Sequence, residues 1–179
     1  PANMVLMTAG ANFGYTQSLP FLVGVIVGKL LLYLALGLGL FAVLDQVPYG
    51  FDVLKYSSAA YVLYLSYMMS KAPFASKKDG MTTPPGFMPG LLVHPLNPKA
   101  YAMLSVAWSH FGPMMEGLAW RTFVICITFL LVQVVVHNFW CYAGDRLIGL
   151  IRNEKRKSQI QQGLAFLTAL VVVWVVLWT

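Results

Sequence analysis

The sequence predicts an all-α, polytopic membrane protein, arranged as an inverted repeat of three-helix units with broken half-helices. Three observations lead there. The first is composition: only 10% of the 179 residues are charged and 59% are hydrophobic, whereas a soluble domain carries roughly 25% charged residues. The mean hydropathy of +0.70 points the same way. The second is a set of apolar runs near 19–44, 53–70, 87–111, 119–143 and 160–178, long enough to cross a bilayer, which takes about 20 apolar residues. The third is a cluster of helix breakers in the middle of one of those runs.

Charge sets the expected topology. The net charge is +6, but it is not spread as a nucleic-acid surface would be, and no nucleic-acid partner is expected. Eight of the twelve Lys and Arg residues fall in two breaks: Lys71, Lys77 and Lys78, then Arg146, Arg152, Lys155, Arg156 and Lys157. Alternate loops share a side of a membrane, so the positive-inside bias makes loops 71–90 and 145–159 cytoplasmic and the C-terminus periplasmic. The basic cluster at 152–157 reads as a topology anchor, with anionic lipid as the alternative. No short apolar core stands beside a cleavage site, so a secretory signal is not expected. Cys126 and Cys141 fall in one run, about 22 Å apart along a helix, and can share neither a disulfide nor a metal.

The Pro- and Gly-rich stretch APFASKKDGMTTPPGFMPG divides the chain. Residues 1–70 are read as a first membrane repeat, 71–90 as the cytoplasmic loop, and 91–179 as a second repeat of three runs. The first repeat has two full runs and a leader, PANMVLMTAGANFGYTQS, that ends at Phe13–Gly14 much as the third run ends at Phe111–Gly112. The expectation is that residues 1–14 are the second half of a first span whose first half-helix is missing, because a free amine and open carbonyls near mid-bilayer are costly.

The breakers lie at HPLNPKAY, residues 94–101. Pro95 and Pro98 remove two donors and disfavour helix just before them. Broken backbone at membrane depth is tolerated where it is buried in protein or lines a wet cavity, and discontinuous helices of this kind hold solutes in secondary transporters. Asn97, Pro98 and Lys99 are therefore candidate binding residues, with Asn3 the counterpart in the leader. A simple kink with a snorkelling lysine is the plainer alternative.

Lys29 lies near the middle of its run, where a charge costs about 2.5–3.5 kcal/mol and calls for a partner. No carboxylate is expected at that depth. Backbone carbonyls at a break, amides of the fourth run, a residue upstream or the solute's own carboxylate are the candidates. On the fourth run Gln133, His137 and Cys141 recur at four-residue spacing with Asn138 beside them, a polar stripe on one face. It could serve interhelical bonding or line a cavity, with His137 as a proton carrier because histidine titrates near neutrality. Tyr61, Tyr64 and Met68, and Tyr101, Ser105 and Ser109, could line the same cavity, though each individually reads first as a packing residue. Gly24 and Gly28 mark close helix approach.

The residues PANMVLMTAGANFG, LNPKAY and LKYSSAAYVLYLSY together resemble the LysE/RhtB family of bacterial amino-acid exporters, across essentially the whole chain. The first looks like the tail of the family's Pro-Gly-Pro-Asn-like motif and the second its Asn-Pro-Lys motif. The upstream Pro-Gly of the first motif is not present, so the resemblance is to a member truncated at its N-terminus. Lys29 and the His137–Asn138 pair depart from the family's ordinary residues.

The resemblance implies a bacterial inner-membrane, multi-pass exporter of a small zwitterionic or cationic amino acid, driven by the proton gradient. It implies no cofactor, no metal and no catalysis; its partners are the amino acid and the lipid bilayer, and a homo-oligomer stays open. Two other classes compete. A membrane scaffold or assembly subunit would need the motif for association and not for flux. A redox or metal carrier would need a close Cys pair or a His/Asp/Cys cluster, which the sequence does not offer.

Overall fold

A computed structural model describes residues 2–39, 46–47, 49–71, 84–95, 98–151 and 153–178. All regular structure among these residues is helical. We number the helices α1 (Ala2–Phe13), α2 (Tyr15–Gly37), α3 (Gly50–Lys71), α4 (Phe87–Leu92), α5 (Pro98–Phe111), α6 (Leu118–Gly149) and α7 (Glu154–Trp178), with a 3-10 turn at Gly112–Met114. α2 and α6 are long and apolar enough to cross a membrane. At 1.5 Å per residue, the 22 residues of α3 and 25 of α7 extend about 33 and 38 Å, also enough for a hydrocarbon core of about 30 Å.

Several helix ends differ from the apolar runs, each for a local reason. α1 and α2 are separated by a single residue, Gly14, whose φ of 82° suits glycine. α2 therefore starts at Tyr15, not near 19, and absorbs Pro20 in its early turns. α6 continues to Gly149, past the apolar run and through Asp145 and Arg146. α7 begins at Glu154 because the Asn153 side chain accepts from the Lys155 and Arg156 backbone N–H groups, at 2.9 and 3.3 Å. The stretch 145–159, expected as loop, is thus largely two helix ends. Within the expected loop 71–90, α4 begins at Phe87 and runs on past the boundary at 90; residues 72–83 lie outside the described residues.

α2 and α6 pack on each other and each carries a shorter helix. α1 lies along α6, α4 lies along α2, and α3 pairs with α7. Glycines permit the first two pairings. A Cβ on Gly10 would stand 1.9 Å from the Cys141 carbonyl oxygen, and one on Gly144 2.0 Å from that of Met7. In the other seam, Cβ atoms on Gly24 and Gly28 would meet the Phe87 and Leu91 carbonyl oxygens at 2.1 Å, and one on Gly90 that of Phe21 at 2.2 Å. Backbone touches backbone in both seams, as the Gly24–Gly28 spacing predicts for α2. α3 is tied to its neighbours by two hydroxyls: Ser66 donates to the Ala165 carbonyl at 3.0 Å and Tyr61 to that of Pro89 at 2.7 Å.

The buried apolar side chains form two clusters. One gathers Val5, Leu6, Phe21, Val25, Val93 and Cys141 around α1. The other gathers Tyr33, Leu36, Leu104, Ile125 and Cys126 between α2, α5 and α6. Outside them, Leu31, Val135, Phe139, Phe166 and Trp174 are exposed, an apolar surface of the kind that lipid covers.

Candidate functional site

The third apolar run breaks where the prolines predict. α4 ends at Leu92, a turn covers Val93–Pro95, and helix resumes at Pro98. Beside this break lies a cavity of about 310 Å³. Its polar wall is Asn3 of α1, Lys29 of α2, His94 of the turn, and Gln133 and His137 of α6; Ala2, Ala100, Met103, Phe129, Val132 and Val136 complete it. The cavity sits where the two apolar clusters adjoin, since Ala2 belongs to one and Ala100 to the other. No Asp or Glu lines it among the described residues.

Lys29 meets a partner that sequence reasoning did not weigh. Its Nζ stands 5.3 Å from the centre of the Tyr33 ring and 5.7 Å from that of Phe129. Tyr33 is one turn on along α2, and the two rings meet edge to face. Such contacts are worth about 2 kcal/mol each when desolvated, comparable with the cost of a mid-bilayer charge. The ammonium is held on the faces of two rings, and among the described residues no carboxylate on the cavity wall meets its donors.

His94 is the residue that sequence reasoning passed over. It is 5% exposed and stacks on His137, itself 3% exposed, with ring centres 5.4 Å apart and planes 10° from parallel. Both nitrogens of His94 and Nδ1 of His137 are buried without a hydrogen-bond partner. Buried polar atoms are almost always paired, so three open nitrogens at a cavity wall stand out. The only available signal was a polar side chain against Pro95; its pairing with a residue 43 positions on was not readable.

The remaining predicted residues separate. The Gln133 amide donates to the Val25 carbonyl at 3.3 Å, bridging α6 to α2 at the cavity edge. Gln133, His137 and Cys141 are all buried, so the stripe on α6 faces inward as its spacing predicts. Asn138 is turned away from the cavity: its carbonyl accepts from the Tyr15 hydroxyl at 2.5 Å and its amide donates to Val134 at 2.6 Å. It fastens the start of α2 to α6. Asn97 lies outside the described residues, and Pro98 and Lys99 are described by backbone alone, as the first two residues of α5. Tyr64 and Met68 are exposed on α3, away from the cavity. Cys126 and Cys141 are free thiols, both buried. Among the described residues no three His, Cys, Asp or Glu side chains gather as metal ligands would.

A solute-sized cavity at a helix break, inside a bundle with an apolar exterior, is the arrangement in which membrane transporters hold their solutes. The chain belongs to the LysE type translocator family, whose profile matches residues 1–177. It is similar to the cysteine/O-acetylserine efflux protein of Escherichia coli O1:K1 / APEC, 27% identical over 89% of this chain and 82% of that one. It is also similar to the homoserine/homoserine lactone efflux protein of Salmonella typhimurium strain LT2, 23% identical over 92% of this chain and 82% of that one. No solved structure matches it.

Proposed function

We propose that the protein exports a small amino acid or related zwitterion from the cytoplasm across the bacterial inner membrane, in exchange for protons, with the solute seated in the cavity at the break. The observation that carries this reading is the Lys29 ammonium, set on two aromatic rings in a cavity whose wall, among the described residues, offers it no carboxylate. A solute carboxylate there meets a charge that has already been brought to depth, so its own desolvation is offset by an ion pair. Met103, Phe129, Val132 and Val136 suit a short, weakly polar side chain. The relatives' names, for cysteine, O-acetylserine and homoserine, support a solute of that size.

Asn3, Gln133 and the Asn97–Pro98–Lys99 segment orient the solute, and His137 carries the coupling proton; Asn138 supports them by fixing the α2 entrance. Alternating access comes from rocking two inverted three-helix units. The two glycine seams support this, because each joins a helix of the first unit to one of the second: α1 to α6, and α2 to α4. The cation distribution supports cytoplasmic placement of 71–90 and of the α6–α7 connection, with the C-terminus periplasmic.

The test is efflux from cells preloaded with a panel of amino acids, comparing the full-length protein with its Lys29→Gln and Pro98→Ala variants at equal membrane levels. One amino acid should leave faster with the wild type, and both substitutions should remove that gain. Unchanged efflux for every amino acid, with protein present in the membrane, would overturn the reading.

A further inference from the structure

The exporter reading leaves one half of a zwitterion unmatched. Lys29 answers the carboxylate, but the cavity has no acidic side chain for the ammonium among the described residues. What the wall does offer is the stacked pair His94 and His137, with three buried nitrogens lacking partners.

We propose that His94 and His137 form one site at which the solute's ammonium group and the coupling proton exclude each other. A neutral imidazole keeps one acceptor nitrogen, and an ammonium N–H can donate to it. A protonated imidazole has only donors and repels an ammonium. Two positive rings 5.4 Å apart would repel each other, with Lys29 in the same cavity adding to the repulsion, so the pair holds a single proton. The exchange balances: a protonated pair plus an incoming R–NH3+ gives a neutral pair hydrogen-bonded to R–NH3+ plus one released H+. Run across the membrane, a proton arriving from outside ejects the solute, and a solute arriving from the cytoplasm ejects the proton.

The charged and titratable surroundings of the pair are few. α2 contributes Lys29. α1 contributes the uncharged Ala2 and Asn3. α5 contributes Ala100 and Met103 to the wall, and α6 contributes Gln133 beside His137. Among the described residues none of these is a carboxylate that could take the proton instead.

This inference rests on the exporter reading, and the experiment separates the two. Purified wild-type protein in weakly buffered detergent, at a series of pH values from about 7 down to 4.5 that spans protonation of a histidine in positive surroundings, is mixed with L-homoserine or O-acetyl-L-serine. Binding should release protons, rising toward one per solute as the pH is lowered, and N-acetyl-L-homoserine, which has no ammonium, should release none. In the double variants His94→Gln/His137→Gln and His94→Asn/His137→Asn the amide oxygens can accept from an ammonium but take up no proton. Wild-type affinity should fall at least threefold as the pH is lowered from about 8 to 4.5, and affinity in either double variant should change less than twofold over that range. Two variants are used so that a folding failure in one leaves the other to decide.

Proton release equal for the N-acetylated probe, or wild-type pH dependence retained in a folded variant, overturns the proposal alone. Absence of counterflow of both amino acids into wild-type liposomes overturns the exporter reading, and the proposal with it.

Discussion

The two glycine seams and the cavity are built from the same two long helices, yet they obey opposite rules. On α6 a single inward stripe runs Gln133, His137, Cys141, Gly144. At its Cys141–Gly144 end the backbone of α1 sits directly on that of α6, and there is no room even for a methyl group. At its Gln133–His137 end large polar side chains stand at the level of the α4–α5 break, and about 310 Å³ is left open. α2 shows the same contrast around its circumference. Gly24 and Gly28 close on α4, while Lys29, about 100° further round, lines the cavity.

The difference teaches how a bundle in lipid keeps a polar cavity. With no hydrophobic drive between helices in a membrane, close backbone contact supplies the association. The seams therefore tolerate no volume. The cavity is where the fold tolerates a charge and unpaired nitrogens, which on the proposed reading a solute and a proton complete.

The largest effect should come from filling a seam. Gly10→Val would drive its side chain into the Cys141 backbone, which cannot move as a flexible side chain could. A loss of about 3 kcal/mol or more is expected, read as failure to recover monodisperse protein from membranes, and a variant of wild-type melting temperature would break the comparison. A smaller and opposite effect should come from the cavity. Lys29→Met removes a charge held at depth at a cost of about 2.5–3.5 kcal/mol, partly offset by its two rings. Its melting temperature in detergent should match or exceed that of the wild type while export is lost. A marked drop in melting temperature would mean that Lys29 is structural, and the division between seam and cavity would blur.

Much of this was legible beforehand, and the rest was not for definite reasons. Pro95 and Pro98 announce the break because proline's missing donor is a property of the residue itself. The Gly24–Gly28 spacing announces a seam because both contacts lie on one helix face. Gly144 has no glycine at four-residue spacing, and Gly90, four residues after Gly86, lies in a Pro- and Gly-rich stretch that reads as loop, so nothing local says which neighbour they admit. Lys29 was recognisable as anomalous by depth alone, but one of its two supporting rings, Phe129, comes from a helix 100 residues away. The start of α7 was hidden because Asn153 sits within the charged run RNEKRK, where a cap resembles a loop. His94 was obscured by the prolines around it, and only the folded chain brings it to His137.

The most direct test of the central claim, that the cavity at the break holds the transported solute, is protection of a cysteine placed in its wall. Met103 lines the cavity and is 45% exposed, and both native thiols, buried as they are, can be replaced by alanine to leave a silent background. Met103→Cys in that background should react with a small maleimide, and the amino acid identified by the efflux panel should slow the reaction at least fivefold, with an amino acid that is not exported leaving it unchanged. Labelling that proceeds at the same rate with and without the exported amino acid would contradict the account and move the solute site elsewhere in the bundle.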